Sequence, residues 1–326
     1  MGFLAFSRRN VPMKRLPFAF LALFMILGVL GCGAPKQTFV NIASGGTGGT
    51  YYPLAGAMAT IWQDSIKGLN ASAQTTGASV ANVNLLREAK ADIVFLQNDI
   101  AYYALKGIEV FKDAPFADIR GMASLYSETC QIIVLEESRI SSIAGLRGKR
   151  VAVGAAGSGA EANARQILGA AGLTYADILP QYLSFNEASS NLKDGNIDAA
   201  FVTAGHPTAA VQDIAATKSI RLLQIDDTTI SKLMTLYPFY TRTTIPASTY
   251  RGVDQAIQSV AVQAMLAVSS RMEATTVEKM LQSLFANSDR LTAAHRAGAM
   301  INLETARDGM SLQLHEGAEK FYGKAK

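Results

Sequence analysis

Two rhythms of apolar and polar positions run along the chain: short β-prone runs, and segments with apolar residues every three to four positions. Phe39-Val40-Asn41-Ile42-Ala43 is the first β-prone run. It breaks into Ser44-Gly45-Gly46-Thr47-Gly48-Gly49-Thr50, and a helical pattern follows from Tyr52 or Pro53 to about Ile66. Lys149-Arg150-Val151-Ala152-Val153 is a second run. It breaks into Gly154-Ala155-Ala156-Gly157-Ser158-Gly159, with a helix predicted over residues 161–171. Strand, glycine loop and helix thus occur twice, roughly 110 residues apart.

A second echo follows each unit. Leu86-Arg87-Glu88-Ala89-Lys90-Ala91-Asp92-Ile93-Val94-Phe95 aligns with Leu192-Lys193-Asp194-Gly195-Asn196-Ile197-Asp198-Ala199-Ala200-Phe201. In both, a helix end leads to an aspartate and a strand with Phe three places on. One strand finishes in Leu96-Gln97-Asn98-Asp99, the other in Val202-Thr203-Ala204-Gly205-His206-Pro207. Two matches in the same order predict two lobes of similar α/β design. Residues 121–134 form a long extended stretch expected to cross from the first lobe to the second, and residues 236–246 are expected to cross back. Residues 253–272, 275–285 and 291–321 carry apolar residues at helical spacing and are predicted to be mainly helical. The organisation expected is lobe I beginning at 38–127, lobe II at 128–236, and 237–326 as a return crossing with C-terminal helices completing lobe I. Two extended crossings permit a hinge.

Ahead of this pattern, residues 1–31 read as an export signal. Arg8, Arg9, Lys14 and Arg15 precede an uncharged run over residues 16–31. That run is short for a bilayer span of about 20 residues and suits the apolar core of a signal peptide. It ends in Val29-Leu30-Gly31-Cys32, which resembles a bacterial lipobox, so Cys32 is the expected lipidation site and residues 32–37 a lipid tether. The basic excess of the chain belongs to this leader. The net charge of +4 comes from 30 basic and 26 acidic residues. Taking away the four leader cations leaves 26 against 26, so nothing in the mature chain recruits nucleic acid.

Composition narrows the chemistry further. With Cys32 lipidated, Cys130 is the sole remaining thiol, which precludes a disulfide within the mature chain. Cys130 itself reads as a small buried hydrophobe at the start of a strand. His206, His295 and His315 lack the paired spacing of a zinc site, so no metal is expected. Gly157-Ser158-Gly159-Ala160-Glu161-Ala162 fits the loosest dinucleotide fingerprint, but no acidic residue ends the following strand and the chain is exported. No cofactor is expected. No nucleophile elbow is present, and His206 has no third group to orient it as a general base, so a binding protein is expected rather than an enzyme.

The glycine loops remain as the candidate site. A glycine-rich turn entering a helix exposes backbone N–H groups backed by the helix dipole, enough to hold a carboxylate without a basic side chain. A single such loop is equally well a tight turn. A pair at equivalent places points to a ligand held between the lobes, at the strand C-termini. Arg87, Arg165 and Arg242, the arginines nearest these loops in sequence, read as solvated or structural charges.

Ser44-Gly45-Gly46-Thr47-Gly48-Gly49-Thr50-Tyr51-Tyr52-Pro53 resembles the hallmark of TAXI-type receptors, the extracytoplasmic solute-binding subunits of one class of TRAP transporters. Thr75-Thr76-Gly77-Ala78-Ser79-Val80-Ala81-Asn82, Ala91-Asp92-Ile93-Val94-Phe95-Leu96-Gln97-Asn98-Asp99, Gly205-His206-Pro207-Thr208-Ala209-Ala210 and Tyr237-Pro238-Phe239-Tyr240 are similar to later segments of that family, in order. The resemblance implies a type II periplasmic binding-protein fold with two lobes and a hinge. It implies a small carboxylate ligand (glutamate, glutamine or 2-oxoglutarate-like) and an ion-driven TRAP membrane transport subunit as partner. The lipobox, in place of a plain cleavable signal, implies anchoring on the periplasmic side of a bacterial membrane. Carried onto this chain, the ligand-binding positions are Gly49, Thr50, Tyr51, Gln97, Asn98, Ser158, Gly159, Thr203, Gly205 and His206. Two other readings stand beside this one: an exported enzyme acting on a small organic acid, and a surface lipoprotein that binds a protein partner.

Overall fold

The computed structural model describes residues 1–3 and 37–325. Residues 4–36, which hold most of the expected signal peptide, Cys32 and the expected tether up to residue 36, lie outside the described residues. Residues Gln37–Lys326 make one compact unit built on a ten-stranded sheet.

The sheet has two parallel flanks joined by an antiparallel centre. In one flank β1 (Thr38–Ala43) lies between β2 (Leu69–Gln74) and β3 (Ile93–Gln97), all parallel. In the other, β5 (Arg150–Ala152) lies between β6 (Leu179–Gln181) and β7 (Ala199–Ala204), again parallel. The centre is a long antiparallel pair, β4 (Ile119–Leu135, 17 residues) and β10 (Ile257–Ser269, 13 residues). β10 also pairs with β3, and β4 with β7 and the short β8 (Ile220–Leu222), so each long strand reaches towards both flanks.

The parallel strands are buried on both faces, as crossover helices require. Ile93 and Phe95 of β3 pack with α1 (Tyr51–Ser65). Val94 and Leu96 face the other way, onto α2 (Ser79–Arg87) and α3 (Asn98–Lys106). β7 repeats the arrangement. Ala199 and Phe201 pack with α4 (Gly159–Ala170) and α7 (Asp227–Leu236). Ala200 and Val202 pack with α5 (Phe185–Lys193) and α6 (Ala209–Thr217). Within α1, Leu54, Met58, Ile61 and Trp62 are fully buried, each contributing about 1.5–3 kcal/mol. The Trp62 indole N–H donates to Met280 O at 3.0 Å, which ties α1 to α8 (Ala274–Phe285).

Two expectations fail here. Residues 253–272 are not helical but carry β10. Val260 and Val262 enter one core, Ala264, Leu266 and Val268 a second, and Met265 and Ala267 a third. A strand apolar on both sides satisfies helical spacing trivially, so periodicity misleads. The return between flanks therefore runs along β10, not along 236–246. That segment contains β9 (Thr241–Ile245), which pairs with the start of β10. Residues 291–321 are also less helical than predicted: α9 (Ser288–Ala294) and α10 (Glu316–Lys324) are separated by a short 3-10 turn and irregular chain. Cys130 is buried as expected, but in the middle of β4 rather than at a strand start.

Among the described residues no helix is long and apolar enough to cross a membrane. No group of three or more His, Cys, Asp or Glu is placed to hold a metal ion among them.

Candidate functional site

In each flank the parallel strands point their C-terminal ends the same way, and the loops leaving them meet over the sheet centre. The result is a cleft with about 580 Å³ of empty space, its open mouth included. The loop after β1, the start of α2 and the end of β3 form one wall; the loop after β5, the start of α5 and the end of β7 form the other. The helices α1, α2, α4 and α5 all begin at this cleft, at Tyr51, Ser79, Gly159 and Phe185. The backbone N–H groups of these four residues have no protein acceptor among the described residues. Helix starts present such donors together with the positive end of the dipole. Among the described residues no Lys, Arg or His lines the cleft.

Seven of the ten positions singled out from sequence line it: Gly49, Thr50, Tyr51, Gln97, Ser158, Gly159 and Thr203. Their hydroxyls are already partly engaged. Thr50 Oγ1 donates to Gly205 O at 3.1 Å, and the Tyr51 hydroxyl donates to Glu128 Oε2 at 2.7 Å. Ser158 Oγ caps α4 by accepting from Glu161 N at 3.1 Å, which leaves its own proton free. Thr203 Oγ1 lies 3.5 Å from Cys130 Sγ. Gly159 sits so close to Gln97 that a Cβ there would overlap the Gln97 amide oxygen.

The other three positions lie outside the lining. Asn98 is a brace: its amide donates to Gly309 O at 3.1 Å and accepts from Gln263 N at 3.1 Å, beside a separate hollow behind the central strands. Gly205 contributes its carbonyl to Thr50 and to Thr208, and a side chain there would crowd Ala297 and Tyr126. His206 Nδ1 pairs with Thr129 Oγ1 at 3.1 Å, and burial, then the Arg296 charge, lowers its pKa. The nearby arginines are engaged elsewhere. Arg87 binds Ala114 O and covers Phe111 and Phe116. Arg165 pairs with Glu109 and Glu161, and Arg242 with Asp227.

The sequence reading missed Glu128. It lies on β4, 2% exposed, as the single carboxylate of the lining. Burial pushes its pKa up to about 8; the Tyr51 hydrogen bond and the Gln97 amide work against this, and the Asp99 charge with it. Beside it, Gln97 is also 2% exposed, and its amide oxygen has no hydrogen-bond partner. A signal was present: Ser127-Glu128-Thr129 falls within the extended stretch over residues 121–134, where most neighbours are apolar and an acid needs a reason. Phe185, whose ring lies against Gly49, was missed as well.

The two walls are bonded across the mouth. Ala81 N donates to Gly157 O at 3.0 Å and Ala210 N to Gly48 O at 3.1 Å. The Asn186 amide donates to Thr47 Oγ1 at 2.9 Å. Deeper in, Asn163 of α4 donates to Asp99 at the start of α3 at 3.3 Å and to the Tyr240 hydroxyl at 2.8 Å. This is a closed arrangement.

Two parallel flanks, a central antiparallel pair and a cleft at the strand ends define a protein of the periplasmic binding-protein fold. Solved structures share it. PhnD1 from Prochlorococcus marinus (MIT 9301), in complex with methylphosphonate, aligns at 9% identity over 81% of this chain and 91% of its own, with a TM-score of 0.54. A putative L-cystine ABC transporter protein from Listeria monocytogenes aligns at 16% identity over 81% and 98%, with a TM-score of 0.50. By sequence the chain belongs to the NMT1-like family, which it matches over residues 42–324.

Proposed function

We propose that this protein is an extracytoplasmic solute receptor that captures a small carboxylate between two lobes and delivers it to a TRAP-type membrane subunit. The observation that carries the proposal is the convergence of four helix starts, with free N–H groups and no basic side chain, on one closed cleft. Such a site suits a carboxylate of glutamate, glutamine or 2-oxoglutarate type. The methylphosphonate bound by PhnD1 is likewise a small anion. The TRAP partner rests on the likeness of residues 44–53 to TAXI receptors, and periplasmic display on the lipobox at Cys32. The lobe bounds expected from sequence, 38–127, 128–236 and 237–326, belong to this proposal, with the return made along β10.

The test is native mass spectrometry of protein purified without refolding, followed by calorimetric titration of the three acids. A copurified small acid, or saturable binding of any of the three, is expected. A cleft that carries nothing and binds none of them would overturn the carboxylate reading.

A further inference from the structure

We propose that Glu128, with Gln97 and Tyr51 beside it, forms an ammonium subsite, so that the ligand is a zwitterionic α-amino acid rather than the corresponding 2-oxo acid. This deepens the receptor reading and rests on it.

The cleft presents two chemically opposite sets of groups. One is the four helix starts, which come from both walls and whose N–H groups donate. The other is a set of acceptors around Glu128. Glu128 brings a buried carboxyl group, and among the described residues no cation lines the cleft to balance its charge when it ionises. The Tyr51 hydroxyl has given its proton to Glu128, and Thr50 has given its proton to Gly205 O, so both offer lone pairs to anything in the cleft. The Gln97 amide oxygen is buried and unpartnered. Buried acceptors left unmatched are costly, and a buried carboxylate without a counter-charge more so.

An α-amino acid matches both sets at once. Its carboxylate meets the helix starts, and its ammonium supplies the positive charge and three donors that the groups around Glu128 lack. A 2-oxo acid has the same carboxylate but puts a carbonyl oxygen, a pure acceptor, where the ammonium would be. Above about pH 8, where Glu128 is ionised, that oxygen would face the Glu128 carboxylate and the Tyr51 and Thr50 lone pairs without a proton to share. Discrimination against an analogue that leaves buried polar groups unpaired is strong in sites of this kind.

The experiment compares matched pairs that differ only in this group: L-glutamate with 2-oxoglutarate, L-alanine with pyruvate, and L-leucine with 4-methyl-2-oxopentanoate. Each is titrated by calorimetry at about pH 9, above the Glu128 value of about 8, into the mature chain and into Glu128→Gln. In whichever pair binds, the amino acid is expected to bind at least about a hundredfold more tightly than its oxo partner, two decades of affinity. Glu128→Gln is expected to bring the two members within about tenfold, by weakening the amino acid. If the oxo acid binds wild type as tightly as the amino acid, the ammonium subsite is refuted while the receptor reading stands. The subsite is equally refuted if Glu128→Gln folds, as judged by circular dichroism, and keeps the full discrimination. Should the variant not fold, the wild-type comparison decides alone. If no pair binds, the carboxylate-receptor reading falls and this inference with it.

Discussion

At the scale of single residues, what matters in the cleft is which protons are already spent. Thr50, Tyr51 and Ser158 look equivalent as hydroxyls, yet Ser158 alone keeps its proton for a ligand. Its oxygen caps α4, so Ser158→Ala has two separable effects. Loss of the cap costs about 1 kcal/mol of stability. Loss of a hydrogen bond to a charged ligand group, worth about 1.5–3 kcal/mol, weakens binding roughly ten- to a hundredfold. Gly159→Val should abolish binding, because its side chain would occupy the place of the Gln97 amide. Arg87→Ala should leave affinity unchanged, since Arg87 serves Ala114 and two aromatic rings. Calorimetric titration of the three variants checks this, and equal affinity for wild type and Gly159→Val would contradict the placement of the site.

Glu128 and Asp99 also give stability a pH dependence. Burial pushes Glu128 up to about 8 and Asp99 up to about 7, against ordinary values of 4.5 and 3.8. Below the ordinary values both acids are protonated whether the chain is folded or not, and they exert no pH effect. Between the ordinary and raised values the folded chain holds protons that the unfolded chain has lost, so stability falls as pH rises. The unliganded protein should therefore melt at progressively lower temperature as pH is taken from about 5 to about 8. Glu128→Gln and Asp99→Asn should each flatten that slope. A melting temperature that rises over the same range would show that these acids ionise freely in the folded protein.

At the scale of elements, β10 decides the architecture. It lies between β3 and β4 in the sheet order, and its residues feed three cores. Strands buried on both faces are the most protected parts of a fold. Hydrogen exchange should be slow at consecutive amides through residues 261–268, where β10 bonds to β3 and β4. Fast exchange recurring every three to four residues would instead indicate a helix with one wet face. Leu266→Ala should cost about 2–5 kcal/mol in urea unfolding, the range for emptying a buried site. By contrast the start of α5, which the sequence analysis passed over, is set locally: Ser184 and Glu187 form a reciprocal capping box there, all within four consecutive residues.

For the whole molecule, the issue is opening. The hydrogen bonds across the mouth, at Gly157–Ala81, Gly48–Ala210 and Thr47–Asn186, must break before a solute enters. Under the proposed receptor function, ligand binding shifts the protein from an open population to this closed one. Small-angle X-ray scattering should show the radius of gyration falling when the binding amino acid is added to protein stripped of ligand. An unchanged profile at saturation would argue against a hinge while leaving binding intact. Anchoring is checked at the same scale: wild type should incorporate labelled palmitate in a bacterial host and Cys32→Ser should not.

The sequence by itself carried whatever depends on neighbours along the chain. The doubled strand–loop–helix units, the glycine turns, the caps and the run of residues ahead of Cys32 are local patterns, because turn geometry and one-sided burial leave their mark within a few residues. The α/β class followed from them, and the seven residues that line the cleft were carried over from the resemblance of such short segments to TAXI receptors. Tertiary structure decided what depends on distant neighbours. Residues 253–272 became a strand because both faces met a core, a condition that erases periodicity. Asn98 and His206 turned away from the cleft because Gln263, Gly309 and Thr129 bind them. Glu128 became part of the site only when folding brought Tyr51, 77 residues away in sequence, to its carboxylate. A charge within an extended run shows where an acid lies but not what it faces, since its partners come from segments that meet only in the folded chain.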